Sequence, residues 1–188
     1  MRLFIALNLP KKERSRIDRA ARLLRERELP VRWAEVDDFH LTLKFLGDVR
    51  PPRRDPVEHV MEKVAAETGP FEVTMHGFGA FPTIRRPRVI WIGAVATPEL
   101  RCLKQDIEWG LAEHGFERET RAFHPHVTLG RAEEDGGAGA FRGLDDVVAG
   151  IDLKATFTVR SLDLMRSRVT RTGSRYTVER SIKLTGPR

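Results

Sequence analysis

Cysteine occurs once in the chain, at Cys102, so no internal disulfide and no cysteine-based zinc site can form within it. The residue reads as a small packing side chain inside a helix. Long apolar runs are also missing, and none approaches the roughly 18 residues that a membrane-spanning helix requires. The apolar opening from Met1 to Pro10 is too short for the core of a secretory signal and no small-residue cleavage site follows, so it reads as a first strand. Short repeats, heptads and low-complexity tracts do not stand out, which argues against solenoids and coiled coils. The expectation is a cytoplasmic protein without a membrane anchor.

What is present describes an ordinary globule. At 188 residues, 40% hydrophobic and 32% charged, the chain can bury a respectable core in a single domain spanning 1–188. Its net charge of +6 favours anionic partners, nucleic acid first, although the preference for arginine over lysine also fits a coding bias.

Apolar spacing predicts a helix after Pro10 with Ile17, Ala20, Ala21 and Leu24 inward, a second over 57–67 with Val57, Val60, Met61 and Val64 inward, and a third over 98–114 with Leu100, Leu103, Ile107 and Leu111 inward. Strands are expected at 2–8, 31–34, 71–78, ending at the Gly79–Pro82 break, and 89–93, with a hairpin of 155–165 against 176–184. Residues 133–139 read as a flexible loop. About seven strands and three or four helices alternate so that the two halves look alike. The fold class is α+β, as two pseudo-symmetric lobes with antiparallel sheets flanked by helices around a central cleft.

The pattern that carries chemistry is His-x-Thr-Leu, found at His40–Leu43 and again at His126–Leu129. Random placement of the chain's His and Thr would give roughly 0.4 His-x-Thr pairs. In a strand, residues two apart share a face. Each segment therefore presents an imidazole and a hydroxyl on one side, His40 with Thr42 and His126 with Thr128, and apolar residues on the other. Two such fronts across one groove make an acid/base pair able to work near neutral pH. Lys44 shares parity with His40 and Thr42, as a rim cation or as a solvated lysine. Strict alternation turns Arg131 away from His126 unless the strand twists or ends at Gly130. Trp33 and Phe123 are candidates for base stacking, with core packing the simpler reading. His59 and His114 read as exposed, and His76 is unassigned.

These residues resemble the 2H phosphoesterase superfamily and, within it, the RNA 2′,3′-cyclic phosphodiesterase family, also called 2′-5′ RNA ligase. The likeness extends over most of the chain, through Arg2–Leu7, Trp33, Gly79–Pro82, Arg88–Gly93, Pro125–Arg131 and Leu164–Arg168. Gly130 stands where many relatives carry alanine. The resemblance implies that RNA 2′,3′-cyclic phosphate ends are hydrolysed to 2′-phosphomonoesters without metal or cofactor, with reversible 2′-5′ ligation when a ribose 5′-hydroxyl takes the place of water. It implies His40 as proton donor and His126 as proton acceptor; the residues themselves leave those roles open. Thr42, Thr128 and Arg131 are then the phosphate-binding groups, the partner is RNA with a cyclic phosphate end, and the working form is a monomer. Two other readings stand beside it. One is a histidine-metal hydrolase built on His124 and His126, against which no Asp or Glu sits at ligand spacing. The other is a non-catalytic RNA-binding module. Neither accounts for the same triplet occurring twice.

Overall fold

The apolar opening forms β1 (Arg2–Asn8), whose five central residues Leu3 to Leu7 are all buried. A strand apolar on both faces belongs in the middle of a covered sheet, and β1 lies there. In a computed structural model that describes residues 1–133, 137, 139–171 and 173–187, it is followed by α1 (Lys11–Arg25), β2 (Val31–Trp33), a 3-10 turn (Val36–Asp38), β3 (His40–Asp48), α2 (Arg54–Glu67), β4 (Phe71–Pro82) and β5 (Pro87–Ala94). Next come α3 (Pro98–Ala112), β6 (His126–Ala132), α4 (Leu144–Ala149), β7 (Lys154–Val159), β8 (Ser161–Thr170) and β9 (Gly173–Lys183). No helix among the described residues is long and apolar enough to cross a membrane.

The helices turn inward the residues that their spacing predicts. Ile17, Ala21 and Leu24 of α1 are buried, as are Val57, Val60, Met61 and Val64 of α2 and Leu100, Leu103, Ile107 and Leu111 of α3. Cys102 is a correction: it is exposed, because it falls on the face of α3 turned away from Leu103 and Ile107. His59 and His114 are exposed, as expected.

Strand order is β7-β4-β5-β6-β3-β1-β8-β9, every pair antiparallel, with β2 added to β6. The two expected sheets are therefore one, joined in the middle by a single residue pair, Leu41 with Val127. Beyond that pair β3 leaves β6, and β2 takes the vacated edge through Trp33 opposite Gly130. Either side of the joint the chain repeats itself. Pro87 follows Arg2 by 85 positions, Pro98 follows Lys11 by 87 and His126 follows His40 by 86, so β5-α3-β6 restates β1-α1-β3. The helices cross over: α1 packs on β7 and α4, and α3 on β3 and α2. Each half thus covers part of the other.

Two strand expectations need correcting. Residues 155–165 are not one strand but the end of β7 and the start of β8, parted at Arg160. These strands lie on opposite halves of the sheet, so the chain turns a corner there and the sheet must curl to bring both flanks together. The segment from Gly79 to Pro82 continues β4 instead of breaking it, pairing with Val89, Ile90 and Trp91. Glycine permits this at position 79, since a Cβ there would lie 2.5 Å from the Trp91 ring. The loop expected at 133–139 falls largely outside the described residues, and Thr172 lies outside them too.

Candidate active site

Leu41 and Val127 are fully buried on the helix-covered side of the sheet. Because they are opposite each other, their neighbours His40, Thr42, His126 and Thr128 all emerge on the other side. One histidine stands on each side of the joining pair. Such diagonal neighbours across an antiparallel pair have Cα atoms about 7–8 Å apart, a spacing at which two imidazoles can flank one phosphate. All four line a cleft of about 1350 Å³ that also takes in Arg131, Trp33 and Phe123. One rim is the segment 117–124, bearing Arg118 and Arg121; the other is β9 from Gly173 to Tyr176. His76 lies outside this cleft, exposed, with Nδ1 3.1 Å from the Leu153 carbonyl oxygen.

Parity misplaces both Lys44 and Arg131, for one reason. Ala6 pairs with Thr42 and Ile5 with Lys44, leaving Leu43 as an extra residue. Trp91 pairs with Thr128 and Ile90 with Gly130, leaving Leu129 extra. Each His-x-Thr strand thus carries a bulge at the leucine three residues past its histidine, and a bulge reverses the alternation after it. Lys44 swings to the helix side, where it is 6% exposed and its ammonium lies 2.6 Å from Glu108 Oε2. It is not solvated: at the cleft wall its charge is held by Glu108 and the Glu117 carbonyl. Arg131, one residue further along than the equivalent of Lys44, swings into the cleft. The equivalent itself is Gly130, and a methyl there would lie 2.5 Å from Val31 Cγ1 and 2.8 Å from Trp33 Cε3. Alanine at this position requires the Val31 and Trp33 side chains to give way.

Both imidazoles are held the same way. Nδ1 of His40 is 2.6 Å from the Asp38 carbonyl oxygen, and Nδ1 of His126 is 2.7 Å from the His124 carbonyl oxygen. A carbonyl only accepts, so each Nδ1 carries the proton and each Nε2 is left to act on whatever occupies the cleft. Aromatic rings frame both, and sequence reasoning missed them. His40 rests on Phe4 (4.9 Å between ring centroids) and meets Tyr176 edge-on (4.8 Å). His126 meets Phe81 edge-on (5.1 Å) and lies near Trp91 (6.2 Å). Alternation in β1 and β5 would have placed Phe4 and Trp91 on the histidine face, had the strand neighbours been known.

Burial lowers the pKa of His40 to about 4; the Asp38 carbonyl opposes the shift, while Arg14, Arg131 and His126 add to it. Burial also lowers His126, against the pull of the His124 carbonyl and helped by Arg131 and His124. Both are thus neutral at pH 7 in the free protein. An unfolded histidine titrates near 6.5, so below that pH the unfolded chain takes up a proton that folded His40 refuses. The resulting stability is complete above about pH 6.5 and is lost as pH falls toward 4. Wild type should lose roughly 3 kcal/mol relative to His40→Gln between pH 7 and pH 4. Urea midpoints of the two proteins across this range check it, and parallel curves would refute it.

Among the described residues no three His, Cys, Asp or Glu side chains gather as a metal-ligand set. His124 lines the cleft, and its backbone carbonyl accepts from His126 Nδ1.

Known proteins resemble this chain in sequence and fold. Residues 10–171 match the family model described as the 2′-5′ RNA ligase superfamily. A protein of Aeropyrum pernix named RNA 2′,3′-cyclic phosphodiesterase is 34% identical over 153 residues, 79% of this chain and 83% of that one. Among solved structures, TT0787 of Thermus thermophilus superposes over the whole of both chains with a TM-score of 0.85 at 26% identity. E. coli LigT complexed with 3′-AMP superposes over 98% of each chain with a TM-score of 0.75 at 25% identity.

Proposed function

Because this chain belongs to the 2′-5′ RNA ligase superfamily, we propose that it is an RNA 2′,3′-cyclic phosphodiesterase, hydrolysing cyclic phosphate ends to 2′-phosphomonoesters by paired-histidine acid/base catalysis. The observation that carries the reading is the mirrored pair of imidazoles, each with Nδ1 on a backbone carbonyl and Nε2 free for one shared cleft.

Opening the ring in line requires water and the departing sugar oxygen on opposite faces of phosphorus. His126 Nε2 takes a proton from the water as its oxygen bonds to phosphorus. The P–O3′ bond breaks, and His40, protonated on Nε2, gives that proton to O3′. The phosphate stays on O2′, and solvent returns the two histidines to their starting states. His40 is neutral in the free protein, so the phosphodiester anion must draw a proton onto it; an adjacent negative charge raises an imidazole pKa. The hydroxyls of Thr42 and Thr128 and the guanidinium of Arg131 receive the non-bridging oxygens, where charge gathers. A ribose 5′-hydroxyl in place of water would give a 2′-5′ linkage by the same transfers. The same proposal takes 1–188 as one bilobal domain, acting as a monomer in the cytoplasm on RNA ends.

The test is a dinucleotide 2′,3′-cyclic phosphate, with and without a strong chelator, followed by phosphorus NMR. Expected are chelator-resistant turnover and a single 2′-phosphate product. A 3′-phosphate product contradicts the departure of O3′. Loss on chelation restored by zinc favours a metal hydrolase, and binding without turnover favours an RNA-binding module.

A further inference from the structure

The two histidines are held alike, yet what stands behind them differs. At His40 the carbonyl that takes Nδ1 belongs to Asp38, at the end of the 3-10 turn. The carbonyl beside it, that of Asp37, accepts from Arg14 Nη1 at 2.6 Å. The second fork of the same guanidinium, Nη2, donates to Asn8 Oδ1 at 3.1 Å. Asn8 is the register partner of His40 across the β1–β3 ladder. Its amide nitrogen donates in turn to Asp163 Oδ2 at 2.8 Å, a carboxylate 4% exposed on β8. A helix and two strands thus converge on the turn that orients one imidazole. By strand register Gly93 stands opposite His126 as Asn8 does opposite His40, and by the offset between α1 and α3 Arg101 answers to Arg14, but its Nε donates to the Ala96 carbonyl oxygen at 2.9 Å, so the second half lacks the Asn8 amide and ties its arginine elsewhere.

We propose that Arg14 and Asn8 are positioning residues for His40: together they clamp the Asp37–Asp38 turn, keep the imidazole proton on Nδ1 and make the two histidines of a near-symmetric pair unequal, the catalytic consequence resting on the phosphodiesterase reading above. A guanidinium presents two N–H groups in fixed directions and can bridge turn and strand at once; an ammonium on a flexible stem does not reproduce that fork. Without the clamp the Asp38 carbonyl is free to drift, and an imidazole that loses its acceptor mixes tautomers.

Charge separates the histidines as well. Facing His40 are Asp38 from the turn, Arg14 from α1, Arg131 and His126 from β6, and the Tyr176 ring from β9. Asp38 is itself 3.7 Å from Arg175 of β9. Arg131 disfavours a proton on both histidines, whereas Arg14 acts on His40 alone.

Nitrogen-proton NMR of the histidine rings in the free protein, paired with steady-state kinetics on a cyclic phosphate, tests the proposal with Arg14→Met and Arg14→Lys. Wild type should show His40 as the Nδ1–H tautomer only. Arg14→Met should show mixed tautomers at His40 and a changed His40 titration, with His126 unmoved. Its kcat should fall by up to about 100-fold, as misplacement of a reacting group does, with KM changed by less than about threefold. Arg14→Lys, which keeps the charge but not the fork, should loosen the tautomer less than Arg14→Met and should recover part of kcat. A His40 ring that keeps its tautomer and titration in both variants overturns the proposal, whatever happens to kcat. Ring changes as expected in a protein whose wild type does not turn over cyclic phosphates would overturn the phosphodiesterase reading and leave the positioning role standing.

Discussion

Alanine at His40 or at His126 is expected to lower turnover of a 2′,3′-cyclic phosphate end by about 10²–10⁴-fold, the range general acid or base catalysis supplies. The two losses should not add. Acid and base act within one in-line event, so removing the second group from an already disabled pair removes little more. The double variant should therefore sit close to the worse single one. The fold should survive in each case, because both side chains are only half-buried and project from a sheet face opposite the main core. His40→Ala also uncovers Phe4 and Tyr176, so its far-UV and near-UV circular dichroism should be compared with wild type before the rate is interpreted. Turnover within about threefold of wild type in either single variant would remove that residue from the mechanism.

Glu108→Leu is expected to cost about 3–5 kcal/mol of folding stability, the usual penalty for stranding one partner of a buried ion pair. Glu108 accepts from Lys44, from Lys104 and from the Glu119 backbone N–H. Burial raises its pKa, but these bonds outweigh burial and hold it below the usual carboxylate range. A carboxylate lowered on folding contributes stability above its unfolded pKa and loses it as pH falls through the folded value. Without Glu108, Lys44 stays buried and keeps the Glu117 carbonyl as an acceptor but no opposite charge, whereas Lys104, over the Phe123 ring at the cleft wall, is the more exposed of the two lysines. Lys44→Met should be milder, since Glu108 keeps two donors. Lys44→Met with Glu108→Leu should recover part of the loss, because neither charge is left alone. Denaturant midpoints of the four proteins form a double-mutant cycle. A Glu108→Leu protein within about 1 kcal/mol of wild type would show that the pair does not carry this load. The variant should also raise KM, since Glu108 and Lys44 anchor the segment that brings Arg118 and Arg121 to the cleft rim.

The chemistry is legible in the chain before the fold because alternation is local. His40 with Thr42, and His126 with Thr128, share a face whatever strands lie beside them, and the inward faces of α1, α2 and α3 follow from helical period alone. Local period misleads where a neighbour decides. Parity assigns Lys44 to the cleft, yet it is buried against Glu108; parity turns Arg131 away, yet it is inside. Both reversals come from an extra residue, Leu43 or Leu129, that exists only relative to the partner strand. Cys102, which reads as a packing residue, lies on the outer face of its helix.

By itself the sequence determined the repeated imidazole-hydroxyl strand and the helix faces, since each is set by residues close together along the chain. Tertiary structure alone decided that one residue pair joins the two halves into a single sheet, that bulges bury Lys44 against Glu108 and bring Arg131 into the cleft, and that Arg14 and Asn8 stand behind only one histidine. Those outcomes depend on contacts between segments far apart in the chain, whose geometry no local period records.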